Sequence, residues 1–150
     1  MAMYKNLLIA TDGSELAQKA VTHGLSLAKS LNATVTLVTT TENWSATEMA
    51  TRAERRAAHP VENYEKEQAE WAARVLSRTA EAAQTMGVSY TTVHATDTHA
   101  ADGIIKTAQD KGCDLIVMSS HGRRGVQRLL LGSVATEVLT HTTIPVLICR

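Results

Sequence analysis

The chain has 150 residues, 44% of them apolar, and a formal net charge of zero. That length makes one domain, residues 1–150, able to bury roughly 70% of its unfolded surface without help from a metal or disulfide. The neutral balance removes the broad positive field of a general nucleic-acid binder. No apolar run approaches the ~18 residues of a membrane span, and "MAMYKNLLIATDGS" lacks the apolar core and small-residue cleavage site of a secretory leader, so a cytoplasmic protein is expected.

Strand and helix signals then alternate five times. "KNLLIA" (5–10) is a short apolar run that reads as a strand, and after "TDGS" the residues Leu16, Ala20, Gly24, Leu27, Ala28 and Leu31 recur at helical intervals. Ser14 is the expected N-cap of that helix, with Glu15 favourable beside the positive end of its dipole. "ATVTLVT" (33–39) is rich in β-branched residues and reads as the second strand.

The stretch 41–62 is long for a connection, as lids and mobile loops often are. Met49, Ala53 and Ala57 allow a short helix within it. Arg52, Arg55 and Arg56 either reach a phosphate or, interleaved with Glu54, form a solvated face.

A long helix is predicted from Pro60 to Met86, ended by Gly87. "VSYTTVHA" (88–95) is the third strand. Ala101, Ile104, Ile105 and Ala108 make the apolar face of the next helix, closed by Gly112. "CDLIVMS" (113–119) is the fourth strand, a helix from about Val134 carries Ala135, Val138 and Leu139, and "IPVLICR" (144–150) is the last strand.

Such alternation without hairpin signals predicts parallel strands joined by right-handed crossovers: an α/β doubly wound five-stranded parallel sheet with helices on both faces. In these sheets ligands bind beyond the carboxyl ends of the strands, where the strand order reverses. The two strand exits richest in glycine and small polar residues are "ATDGS" (10–14) and "SSHGRRG" (119–125), which open on one crevice when strands one and four are neighbours.

The second exit extends to "SSHGRRGVQRLLLGS" (119–133). Gly122 and Gly125 free the backbone for close approach, and Gly132 and Ser133 precede a helix whose unpaired N–H groups suit an anion. Ser133 is read as a simple cap, a phosphate contact, or both in turn. Arg123, Arg124 and Arg128 either add positive potential or stand as surface arginines. Asp12 either makes a turn with Gly13 or meets a ligand, and its coincidence with the glycine set favours the ligand. Neither GxxxxGK[ST] nor GxGxxG is present, so a nucleotide site of the P-loop or dinucleotide-fingerprint kind is excluded.

"HG", nine residues, then "GS", following "LIVM" and matched with "IATDGSE" near the start and "PVLIC" at the end, resembles the universal stress protein family. The likeness runs from about Lys5 to Cys149, with 41–62 lacking a clear match. The nucleotide-binding branch of that family carries G-x-x-G, nine residues, then G-[S/T]. Gly122, Gly132 and Ser133 fit the last three positions, whereas the first glycine is Ser119 here.

The resemblance implies the adenine nucleotide alpha hydrolase-like fold with strand order 3-2-1-4-5, and ATP, with or without Mg or Mn, at the switch point. Ala10, Thr11 and Asp12 would line the nucleoside side, Thr40 the adenine edge, and Met118 with Ser119 the nucleoside flank. Gly122, Arg123, Gly132, Ser133 and Val134 would hold the phosphates. His121 either donates to a phosphate oxygen or positions the loop.

Catalytic constellations are absent from the sequence, so ATP turnover, if any, is expected to be slow. The resemblance further implies a homodimer in which the last strands, Ile144 to Cys149, pair antiparallel, and action through protein partners. An alternative is a dimer of the same family that binds no nucleotide; a third reading, a hydrolase of the same fold, lacks the expected SGGxDS loop after strand one. Cys113 and Cys149 lie roughly 15 to 20 Å apart at opposite ends of parallel strands, too far for a disulfide within one chain, while Cys149 near a dimer axis could approach its own copy.

Overall fold

The computed structural model describes residues 2–42, 45–55, 58–96, 98–122 and 131–150. Among them the elements run β1 (Asn6–Ala10), α1 (Glu15–Leu31), β2 (Thr34–Thr40), α2 (Ala46–Glu54), α3 (Pro60–Met86), β3 (Tyr90–Ala95), α4 (Ala100–Asp110), β4 (Leu115–Ser119), α5 (Ser133–His141) and β5 (Val146–Cys149). The strands pair in parallel in the order β3-β2-β1-β4-β5. This is the doubly wound architecture that the alternation predicts.

The period-two alternation of each strand sorts its side chains between two cores. Leu7 and Ile9 of β1 join Val35, Leu37 and Val117 beneath Val21 and Leu25 of α1 and Leu76 of α3. Leu8 points the other way with Val38, Ile116 and Met118, against Ile104 and Ile105 of α4 and Val138 of α5. Covered on both faces, β1 reads as an unbroken apolar run rather than an alternating one. Each fully buried aliphatic side chain contributes about 1.5–3 kcal/mol. Gly24 brings α1 down onto the sheet, since a Cβ there would lie 2.5 Å from Ile9 Cδ1 and 3.3 Å from Val117 Cγ1.

Three helices hand the chain to a strand through one device. Asn32, Gly87 and Gly112 take left-handed φ values of 52, 71 and 64°. The next residues, Ala33, Val88 and Cys113, donate their N–H groups back to the carbonyls of Ala28, Ala83 and Ala108 at 2.8, 3.0 and 2.8 Å. This six-to-one closure satisfies a helix-end carbonyl and buries the apolar residue that follows the turn. The predicted strands therefore start too early: Ala33, Val88 and Cys113 look like strand residues, but their N–H groups belong to the helices. The strands begin at Thr34, Tyr90 and Leu115.

Ser14 caps α1 as expected, its Oγ accepting the Ala17 N–H at 3.1 Å. The stretch after β2 holds the short helix α2, capped by Ser45, whose Oγ accepts the Glu48 N–H at 3.1 Å.

Candidate functional site

The central strands β1 and β4 are neighbours, with Ile9 opposite Val117 at the end of their shared register. One residue further on, Ala10 and Met118 leave the sheet's carboxyl edge, and the two glycine-bearing exits follow. Ala10, Thr11, Met118 and Ser119 are all buried there.

The exit from β1 is wired to itself. The Thr11 N–H donates to the Val38 carbonyl at 2.9 Å, which carries the β1–β2 ladder one step past the strand. Asp12 Oδ1 accepts the Ser14 N–H at 2.9 Å, Thr11 Oγ1 accepts the Gly13 N–H at 3.2 Å, and Gly13 has φ +79°. Asp12 thus makes the turn that Asp before Gly suggests. Its other oxygen reaches across the crevice, 2.9 Å from the place a Cβ would occupy at Gly122. Turn-former and crevice residue are one carboxylate.

The exit from β4 is fixed by Ser120, a residue the sequence reading passed over. Its N–H donates to the Cys149 carbonyl at 2.9 Å and its own carbonyl accepts the Gly132 N–H at 2.7 Å, so the loop is closed at its base. The Ser120 hydroxyl meets His121 Nδ1 at 3.0 Å. Two adjacent serines at a strand exit were the available signal. The ring of His121 is held at Nδ1, and its Nε2 is buried with no partner among the described residues.

Gly132 is required by packing rather than by φ. A Cβ there would stand 3.0 Å from the Ser120 carbonyl oxygen and 3.3 Å from His121 Cα, both backbone atoms that cannot swing aside. Gly132 is also the N-cap position of α5, without a side-chain cap bond. This corrects the expectation that Ser133 caps the helix: Ser133 is the first residue of α5 and exposed, and Val134 beside it is half-buried. The leading N–H groups of α5 are the kind of donors that no intrahelical carbonyl can reach.

Ser119 does not carry the strain a replaced glycine suggests. Among the described non-glycine residues only Asn32 and His59 have positive φ, so Ser119 sits in ordinary strand geometry. Its hydroxyl donates to the His121 carbonyl at 2.8 Å.

Thr40 stands on the same carboxyl edge, at the end of β2. A Cβ on Gly103 would meet its Cγ2 at 3.0 Å, so the methyl faces α4. Next to it Thr41 Oγ1 meets His94 Nε2 at 2.7 Å, a pairing the sequence reading did not anticipate.

Arg123 lies outside the described residues, as do Arg124, Gly125 and Arg128 of the same loop, and Trp44, Arg56 and Ala57; nothing is described of the Arg52 side chain. No group of three or more His, Cys, Asp or Glu able to hold a metal ion is found among the described residues. Among the described residues no helix is long and apolar enough to cross a membrane.

The site therefore joins Asp12 to Gly122 across two strand exits and seats Gly132 on the Ser120–His121 backbone. Known proteins resemble the chain in sequence and fold. YxiE of Bacillus subtilis, a universal stress protein, is 31% identical over 99% of this chain and 100% of its own length. The solved structure of MJ0577, a universal stress protein of Methanocaldococcus jannaschii, matches with TM-score 0.78 at 26% identity, covering 98% of this chain and 96% of that one. A universal stress protein of Archaeoglobus fulgidus solved in complex with dAMP matches with TM-score 0.68 over 100% of both chains, at 17% identity. The profile of the universal stress protein family matches residues 3–150, and the chain belongs to that family.

Proposed function

We propose that the chain binds an adenine nucleotide, ATP above all, in the crevice between the exits of β1 and β4, and works as a homodimeric stress-response module that signals to protein partners. The observation that carries this reading is the pair of glycines. Gly122 leaves room directly against Asp12 Oδ2, and Gly132 seats the start of α5 on the Ser120–His121 backbone. A phosphate chain beside these positions would meet backbone N–H donors and the positive end of the α5 dipole, which favour an anion without a lysine.

In this reading Asp12, with Ala10 and Thr11, takes the ribose or base, Thr40 the adenine edge, and Met118 and Ser119 the nucleoside flank. Gly122, Gly132, Ser133 and Val134 hold the phosphates, joined by Arg123. The fold is shared with a universal stress protein solved in complex with dAMP, which supports the adenine class. Ordinary strand geometry at Ser119 is compatible with a ligand at this edge.

The dimer would form on β5. That strand is a sheet edge, and Leu147 on it is exposed.

The test is a calorimetric titration of nucleotide-stripped protein with ATP and magnesium, beside GTP and a Gly132→Asp variant, with Trp44 fluorescence as a second readout. Micromolar binding of ATP that Gly132→Asp abolishes is the expected result. No heat and no fluorescence change up to millimolar ATP would overturn the nucleotide reading.

A further inference from the structure

We infer that Ser119 is a positioning residue of this crevice: its hydroxyl presets the peptide that carries the Gly122 N–H. Ser119 Oγ donates to the His121 carbonyl at 2.8 Å. The His121–Gly122 peptide is trans, and in a planar trans unit the C=O and N–H point in opposite directions. Holding the carbonyl against Ser119 therefore aims the Gly122 N–H to the opposite side, whatever occupies it.

The order of anchors along the loop shows why a hydroxyl matters at this point. Ser119 pairs with Cys149 in the β4–β5 register. Ser120 is held by both backbone groups, through the Cys149 carbonyl and the Gly132 N–H. The next peptide, His121–Gly122, follows the last ladder bond, and the Ser119 hydroxyl orients it. The bond forms where water competes weakly, because Ser119 and Ser120 are only 8% and 3% exposed. A glycine or alanine at position 119 leaves this peptide free to rotate about its flanking bonds, and a ligand that needs the Gly122 N–H must then stop that rotation itself. Serine at this position thus preorganises a backbone donor.

The effect on affinity rests on the nucleotide reading proposed above; the preset peptide does not, and the experiment separates them. The His121 carbonyl carbon and Gly122 amide are followed by NMR in the ligand-free full chain, for wild type, Ser119→Ala and Ser119→Thr. ATP titrations are run on the same samples. The His121 carbonyl resonance moves in Ser119→Ala and returns in Ser119→Thr, which restores the hydroxyl. ATP binding weakens by about fivefold in Ser119→Ala and recovers in Ser119→Thr, the size expected of one hydrogen bond. A carbonyl shift unchanged by Ser119→Ala, or one not recovered by Ser119→Thr, overturns the inference. Should Ser119→Ala not fold, Ser119→Cys, whose thiol is only a weak donor, is read in its place, and a His121 carbonyl resonance that it leaves unmoved overturns the inference. A wild type that binds no ATP while its carbonyl responds as expected overturns the nucleotide reading and leaves the role of Ser119 standing.

Discussion

Asp12 and Gly122 face each other across the crevice: Asp12 Oδ2 lies 2.9 Å from the place a Cβ would take at Gly122, while Oδ1 of the same carboxylate holds the Ser14 N–H at 2.9 Å. The two oxygens have separable roles, and isosteric substitution separates them. Asp12→Asn keeps an acceptor for Ser14 and removes the charge, so ATP affinity should fall by about tenfold or more. Asp12→Ala loses the turn as well and should be destabilised by about 1 kcal/mol. If Asp12→Asn binds ATP as well as wild type in calorimetry, the carboxylate is a turn residue only.

At Gly24 two effects oppose each other. Alanine is the better helix former by about 1 kcal/mol, but its methyl would stand 2.5 Å from Ile9 Cδ1 and 2.8 Å from Ile9 Cγ1, and Ile9 is fully buried. Overpacking a closed core costs about 1–3 kcal/mol, so Gly24→Ala should lower stability by up to about 2 kcal/mol despite its helix propensity. Ile9→Val removes Cδ1, so the double variant should regain part of that loss. Denaturant melts of the four proteins in the cycle measure the coupling. A Gly24→Ala chain more stable than wild type would mean that α1 can lift from the sheet at no cost.

These two sites show what the sequence could and could not announce. The cores were legible because burial imposes a period: Leu7, Leu8 and Ile9 had to be a strand covered on both sides, and Ala20, Gly24 and Ala28 had to be one helix face. Strand starts were less legible, since Ala33, Val88 and Cys113 are apolar like strand residues yet spend their N–H groups on helix ends. At the crevice, glycines and Asp12 stood out by type. Ser120 did not, because its contribution is mostly backbone: an N–H on Cys149 and a carbonyl under Gly132. No residue type encodes a main-chain contact between positions 29 residues apart in sequence, such as Ser120 and Cys149. The capping role expected of Ser133 passed to Gly132 for a similar reason, because the cap position packs against the Ser120–His121 backbone, where a Cβ would be a tight fit.

The two cysteines predict an alkaline limit to stability. Burial pushes the thiols of Cys113 and Cys149 above the ordinary range, and for Cys113 the Thr36 hydrogen bond and the Lys111 charge offset part of this while Asp114 adds to it. A raised pKa in the folded state means that the folded chain holds the proton where the unfolded chain has released it. The contribution is therefore fully present below the unfolded thiol pKa of about 8.5 and is lost as pH rises through the folded values. Unfolding free energy from urea melts should decline from pH 8 upward, more steeply in wild type than in Cys113→Ala. At pH 8 both thiols should react with a disulfide reagent at least about tenfold more slowly in the folded chain than in urea. Equal rates in the two states would show that the thiols are not shielded.

The β5 edge gives the last prediction. Leu147 is 39% exposed on this edge strand. It shares its sheet face with Cys149, two residues along and buried on the α1 side, but is itself exposed, so a charge at position 147 can stay in water at the edge. Leu147→Asp should therefore keep its melting temperature within a few degrees while its sedimentation changes from dimer to monomer. The Ser120 N–H binds the Cys149 carbonyl at 2.9 Å, so the base of the glycine loop and the edge on which the proposed dimer would form share one residue. Linkage then requires that whatever occupancy does to dimer affinity, dimerisation does equally to occupancy. Sedimentation of wild type with and without ATP, and ATP titration of Leu147→Asp, measure the two halves of one coupling. A monomeric wild type across the accessible concentration range would remove the dimer from the proposal, and a Leu147→Asp dimer would place the interface on another face.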